Sequence, residues 1–155
     1  MAPIPVGADT VSTLPERSTG DGARRTGATE TLLSPPRTLA AVRVVHDDGQ
    51  FEETLATDVD TADSFLSQAR GLMFRRSIPD DYALVFRFDG VGSRDVHMVF
   101  VPFALDVLWL CDEEVQRVER LAPWTGMAKA EADRLIELPA GSADGVKVGD
   151  EVRVE

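Results

Sequence analysis

Apolar residues fall along this 155-residue chain in short runs, most alternating every second position, and only one stretch repeats at helical spacing. Val42, Val44 and Val45 predict a strand. Asp47, Asp48 and Gly49 predict a turn, with Gly49 supplying a left-handed position, and residues 51–57 predict the returning strand of a hairpin. Residues 59–62 continue extended. Ser64 then reads as a helix N-cap, because Phe65, Leu66, Ala69, Leu72 and Met73 follow at helical spacing. Gly71 near its end and Pro79 beyond it limit this helix to about two or three turns.

Beyond Pro79 the pattern is that of strands. Residues 82–88 place Leu84, Phe86 and Phe88 on one face and Val85 on the other. Residues 96–101 and 105–111 are nearly continuously apolar and are separated by Pro102, which predicts strands buried on two sides. Asp112 and Glu113 mark a turn into the alternating residues 115–121. Residues 123–131 read as a loop carrying Trp124, residues 134–138 as a strand, and Pro139, Ala140 and Gly141 as the opening of a turn or of one helical turn. Gly149 and Asp150 turn into a last strand at 152–154. The pattern predicts an α+β domain, mostly antiparallel, in which about eight short strands form a small barrel-like sheet with one main helix.

The first 38 residues differ in kind. They hold five of the nine prolines, four glycines and many Ser and Thr, and they show no sustained period. Such a segment buries too little apolar surface to offset its ordering entropy, so residues 1–38 are expected to be a disordered tail and 39–155 a single globular domain. The abruptness of the break also raises translation from Val42 as an expectation, which an intact mass including residues 1–41 would exclude.

Charge sharpens the picture. Twenty-seven acidic residues against 16 basic ones give a net charge of −11. The tail is neutral, so the domain carries all of the excess, and only two basic residues, Lys129 and Lys147, are lysines. Like charges at this density repel in dilute buffer and are screened at molar salt, where the Debye length is ~3 Å, so the composition points to a halophilic chain. No basic cluster exists to release counterions from nucleic acid. No apolar run approaches the ~20 residues of a membrane helix, and the N-terminus lacks a signal-peptide pattern, so a cytoplasmic location is expected. The single cysteine, Cys111, fits a small core residue on an apolar strand.

Candidate chemistry is sparse. Metal-ligand spacings, a nucleophile elbow and phosphate-binding glycine motifs are all missing, so no cofactor is expected. Asp95 and His97 fall on one strand face, and Asp106 sits among apolar residues, where a carboxylate must be paired. One reading makes His97 and Asp106 an acid/base pair in a cleft. The other makes Asp106 an acceptor for loop N–H groups, fixing the turn at residues 101–103. Arg70, Arg75 and Arg76 around Gly71 suit either a phosphate or the C-terminal end of a helix. Met73, Met98 and Met127 suit a pocket or core filling, and Trp124 suits recognition or anchoring.

In order, Ala69 to Arg75, Leu84 to Phe88, His97 and Met98, Val101 and Pro102, Leu105 to Val107, Glu137 to Gly141, and Gly149 and Asp150 resemble the domain of unknown function 192 family. The resemblance covers about residues 42–154. It implies a compact β-rich, barrel-like domain with a helix, and no established enzyme activity, so no catalytic residue carries over. Many members look exported, a feature with no counterpart in this N-terminus. The chain departs from the family at Tyr82 and Ala83, where Gly-Met is usual. It departs again at His97, where Trp is usual, and at residues 99–101, where Asn-Thr often precedes the Pro. The expectation is a non-catalytic binding or interaction module using the face near Gly71, His97, Pro102 and Asp106, for an unknown ligand or protein partner. The alternative is a small, possibly hydrolytic enzyme using His97 and Asp106.

Overall fold

The computed structural model describes residues 41–62 and 71–155. Every regular element among them is a strand: β1 (Val44–Asp47), β2 (Glu52–Ala56), β3 (Asp58–Ala62), β4 (Tyr82–His97), β5 (Leu105–Cys111), β6 (Glu114–Leu121), β7 (Met127–Pro139) and β8 (Glu151–Val154). They form one sheet in the order β2-β1-β8-β6-β5-β7-β4-β3. All neighbouring pairs are antiparallel except β3 and β4, which run parallel from Asp58 opposite Tyr82 to Ala62 opposite Phe86. No helix among the described residues is long and apolar enough to cross a membrane.

Two expectations are corrected here. The sheet is open and mixed, not a barrel. The edge strands β2 and β3 share no ladder, although only Thr57 separates them in the chain. Asp81 holds that bend: its carbonyl accepts the amides of Thr57 and Asp58 at 2.9 and 3.0 Å, and its carboxylate accepts the Thr57 hydroxyl at 2.8 Å. The α+β assignment also fails, because the described residues contain no helix. Most of the expected helix, residues 63–70, lies outside them, and its expected end, Leu72 and Met73, forms a turn.

The β1–β2 hairpin forms as its sequence dictates. Gly49 takes the left-handed position, and the Asp48 carboxylate accepts the amides of Gln50 and Phe51 at 2.8 Å each. Strand β4 is longer than its apolar run. Four residues, 88–91, bulge between the paired positions Arg87 and Gly92, and the strand then resumes against β7 as far as His97. β7 correspondingly begins at Met127, inside the stretch expected to be a loop. Residues 98–101, expected to be strand, form a turn instead.

Both faces of the central strands are buried. On one face, here called A, Leu84, Phe86, Val107, Trp109 and Leu135 meet Leu72, Met98 and Val101 from the covering turns. On the other, face B, Val85, Leu108, Leu110, Ile136 and Leu138 meet Val44, Val152, Ala143 and Val146. Asp106 points into face B. Its carboxylate accepts Arg120 at 2.7 and 3.1 Å, the Gly141 amide at 2.8 Å and the Ala143 amide at 3.1 Å. The turn it fixes is therefore the one after β7, not residues 101–103. Burial alone would raise its pKa, but the Arg120 bonds and then the two amides outweigh burial and hold the carboxyl below the usual range.

Replacing Asp106 by Ala strips these four donors of their acceptor and should cost about 3 kcal/mol in a urea titration at pH 7. A depressed folded pKa contributes stability above the unfolded pKa and loses it as pH falls through the folded one. The gap between native and Asp106→Ala chains should therefore close only in strong acid, and a gap that does not depend on pH below 4 would contradict this.

Candidate functional site

Besides Tyr82, whose hydroxyl donates to Asp60, three ionisable residues are buried among the described residues, His46, Asp106 and Glu137. His46 meets Asp150, Nε2 to Oδ2, at 2.8 Å, and Asp150 also accepts the Lys147 amide. Asp106 has the four bonds given above. Glu137 is 7% exposed and has no hydrogen-bond or ion-pair partner among the described residues. A buried polar group left without a partner bears its full desolvation penalty.

The surroundings of Glu137 follow from strand register. On β7 it is in phase with Leu135, so it points into face A. Its cross-strand neighbours are Leu84 on β4 and Val107 on β5, both buried and apolar. Above it passes Gly71. The position a Cβ would take at Gly71 lies 3.8 Å from Glu137 Oε2 and 3.7 Å from Phe86 Cζ. The left-handed φ of Gly71, 44°, is what reserves that position for glycine. Desolvation alone pushes the Glu137 carboxyl up to about 7.

Glu137 lines a cavity of about 440 Å³, within the ~300–1,000 Å³ typical of small-molecule sites. Residues 71–73, Phe86, Phe88, Val101, Leu105 and Leu135 form its apolar walls, and residues 93–98 at the end of β4 form the remaining side. Ser93, Asp95 and His97 are exposed there, alternating with the more buried Arg94, Val96 and Met98. The Arg94 guanidinium lies 3.9 Å from the Phe88 ring centroid and donates to the Gly90 and Ala132 carbonyls. The Trp109 indole donates to the Arg94 carbonyl at 2.8 Å and ties this end of β4 to the core.

Of the residues singled out in the sequence, Gly71 and His97 both line the cavity, as do Asp95, Met73 and Met98. Asp106 and Pro102 do not. Asp106 points to the opposite face of the sheet, so His97 and Asp106 are not brought together. Met127 and Trp124 are exposed. Arg75 reaches Asp60 at 3.6 Å and lies over Tyr82, while Arg70 is outside the described residues.

Glu137 itself was not singled out. The available signal was a carboxylate in a strand with apolar residues on both sides, the same signal that drew attention to Asp106. The described domain is thus an open, two-faced sheet with a cavity over a buried acid. The chain belongs to the DUF192 family, described as "Uncharacterized ACR", whose model matches residues 44–154. It is similar to the UPF0127 protein PH1112 of Pyrococcus horikoshii, 34% identical over 102 residues, which span 62% of this chain and 86% of that protein. The fold matches that of a Novosphingobium aromaticivorans protein of unknown function with a TM-score of 0.65 and 22% identity, over 72% of this chain and 83% of that one. It also matches a Sinorhizobium meliloti protein described as a candidate transcription regulator, again with a TM-score of 0.65 and 22% identity, over 74% and 94% of the two chains.

The raised pKa of Glu137 sets a direction for stability. The folded chain holds this proton more tightly than the unfolded one, so the favourable contribution is complete below the ordinary value of 4.5 and is lost as pH rises to about 7. From pH 4 to 8 the native chain should lose on the order of 3 kcal/mol relative to Glu137→Gln in denaturant titrations. Parallel profiles would show that Glu137 titrates normally.

Proposed function

We propose that this domain is a non-catalytic binding module that takes a small molecule into the face A cavity, with Glu137 as its buried polar anchor. The observation that supports this reading is the missing partner of Glu137. His46 and Asp106 are satisfied within the fold, whereas the Glu137 carboxyl has apolar cross-strand neighbours and lines the cavity. Such a group is costly to the fold and useful to a ligand that brings a hydrogen bond.

Binding fits better than catalysis because Asp106, half of the acid/base pair suggested by the sequence, is engaged on face B. A second reading rests on one observation: a carboxyl pushed up to about 7 in a cavity that His97 also lines suits proton transfer. Nucleic acid is disfavoured as a partner by the net charge of −11. The same charge favours a halophilic setting, in which the denaturation midpoint rises between dilute buffer and ~2 M KCl. A midpoint that stays flat or falls would argue against that setting.

A residue retained for binding against the interest of the fold has a signature that needs no known ligand. Glu137→Leu removes a buried charge and keeps a similar volume. It should raise stability by about 1–3 kcal/mol in urea at pH 8, where the native carboxyl is ionised. A destabilised Leu variant would show that Glu137 serves the fold, and the binding reading would fall with it.

A further inference from the structure

We infer that the ligand of this cavity is a neutral carbohydrate, a mono- or disaccharide, stacked against an aromatic rim; this rests on the binding reading above. The rim is the new observation. Phe74, Phe100 and Trp124 are 70%, 50% and 57% exposed. Phe74 directly follows the cavity-lining Met73. Phe100 lies in the turn between the cavity-lining Met98 and Val101. The two rings stack with centroids 4.8 Å apart, and the Phe74 amide donates to the Phe100 carbonyl at 2.9 Å. The Trp124 amide donates to the carbonyl of Val101, which brings the third aromatic residue to the same turn.

All three have left-handed backbones, with φ of 67°, 60° and 65°. Bulky residues avoid this region, at a cost of roughly 1–2 kcal/mol each. Glycine would relieve the strain at each position, and the exposed rings add little to the core. Strained, solvent-exposed aromatics that flank the cavity-lining residues Met73, Met98 and Val101 are a feature of ligand sites rather than of folding.

Charge and wall chemistry select the ligand class. A chain of net charge −11 repels anions. A cation would meet the Arg94 guanidinium, which lines the same cavity and lies 3.9 Å from the Phe88 ring centroid. What remains is a neutral molecule with one apolar face and hydrogen-bonding edges. A sugar ring meets both demands. Its C–H face stacks on the rim, and its hydroxyls reach Glu137 at the floor and the end of β4, residues 93–97, along the side.

The test is calorimetric titration of the full chain with glucose, galactose, mannose, N-acetylglucosamine, maltose and cellobiose, with choline and inorganic phosphate as cationic and anionic probes. At least one sugar should bind one-to-one and change the fluorescence of Trp124. Phe100→Ala and Glu137→Gln should each weaken it by about tenfold or more, and both variants should keep the native circular dichroism spectrum. Binding of choline or phosphate without any sugar would overturn the carbohydrate assignment, as would no binding of any probe at millimolar concentration. Sugar binding indifferent to both substitutions would place it elsewhere and overturn it equally. None of these failures touches the binding reading, which stands or falls on the stability of Glu137→Leu.

Discussion

Strand β5 and the second half of β7, from Leu135 to Leu138, have no wet side, and much of the molecule follows from that constraint. Leu105, Val107 and Trp109 point into face A, while Leu108 and Leu110 point into face B, and all are buried. A polar side chain on such a strand must find a partner inside the protein or remain unpaired. Asp106 finds several, and they draw the turn after β7 onto face B, so that Ala143 and Val146 close it. Face A is closed differently, by the turn at 71–74 and the turn at 98–101. Those two turns leave a gap over Glu137, and the gap is the cavity.

The sequence was most informative where burial on both faces leaves a long apolar run. Residues 105–111 read directly as a two-faced strand, and the β1–β2 hairpin read from its Asp-Gly turn. The first half of β7 did not. There the alternation is carried by Ala128, Ala130 and Ala132 against Lys129 and Glu131, and alanine is a weak β former with little apolar signal. The passage of β4 through Asp89, Gly90 and Gly92 has loop chemistry because it is a four-residue bulge. Open and closed sheets share the same two-residue period. Only the Asp81-held bend at Thr57, a contact across 24 residues, separates β2 from β3 without a ladder. Periodicity carries no trace of such a contact.

The site was half legible for the same physical reason. An isolated carboxylate in an apolar strand flags a buried charge but not which buried charge is satisfied. Asp106 and Glu137 carry that flag equally. They differ only in what the tertiary fold brings to them: a guanidinium and two amides in one case, and apolar neighbours with a glycine turn in the other. His97 was legible as a histidine that packing does not demand, and it lies on the cavity wall. The left-handed aromatics were not legible at all, because local rules assign such positions to glycine or asparagine.

Two unrelated costs lie at or next to residues that line this cavity. The first is electrostatic, a carboxyl desolvated without a partner. The second is conformational, three bulky residues in a backbone region that disfavours them. Either could be relieved locally, by an apolar residue at 137 or by glycine in the turns, without altering a strand pairing. A fold shaped only by stability has no reason to place both at or beside the residues of one cavity while it satisfies Asp106 and His46 elsewhere. Their coincidence is accounted for if the same molecule relieves both, by supplying a hydrogen bond to Glu137 and a surface to the rings. That links floor and rim: occupation of the cavity should draw Glu137 toward whichever protonation state the ligand bonds, and should order the exposed rings in the same step.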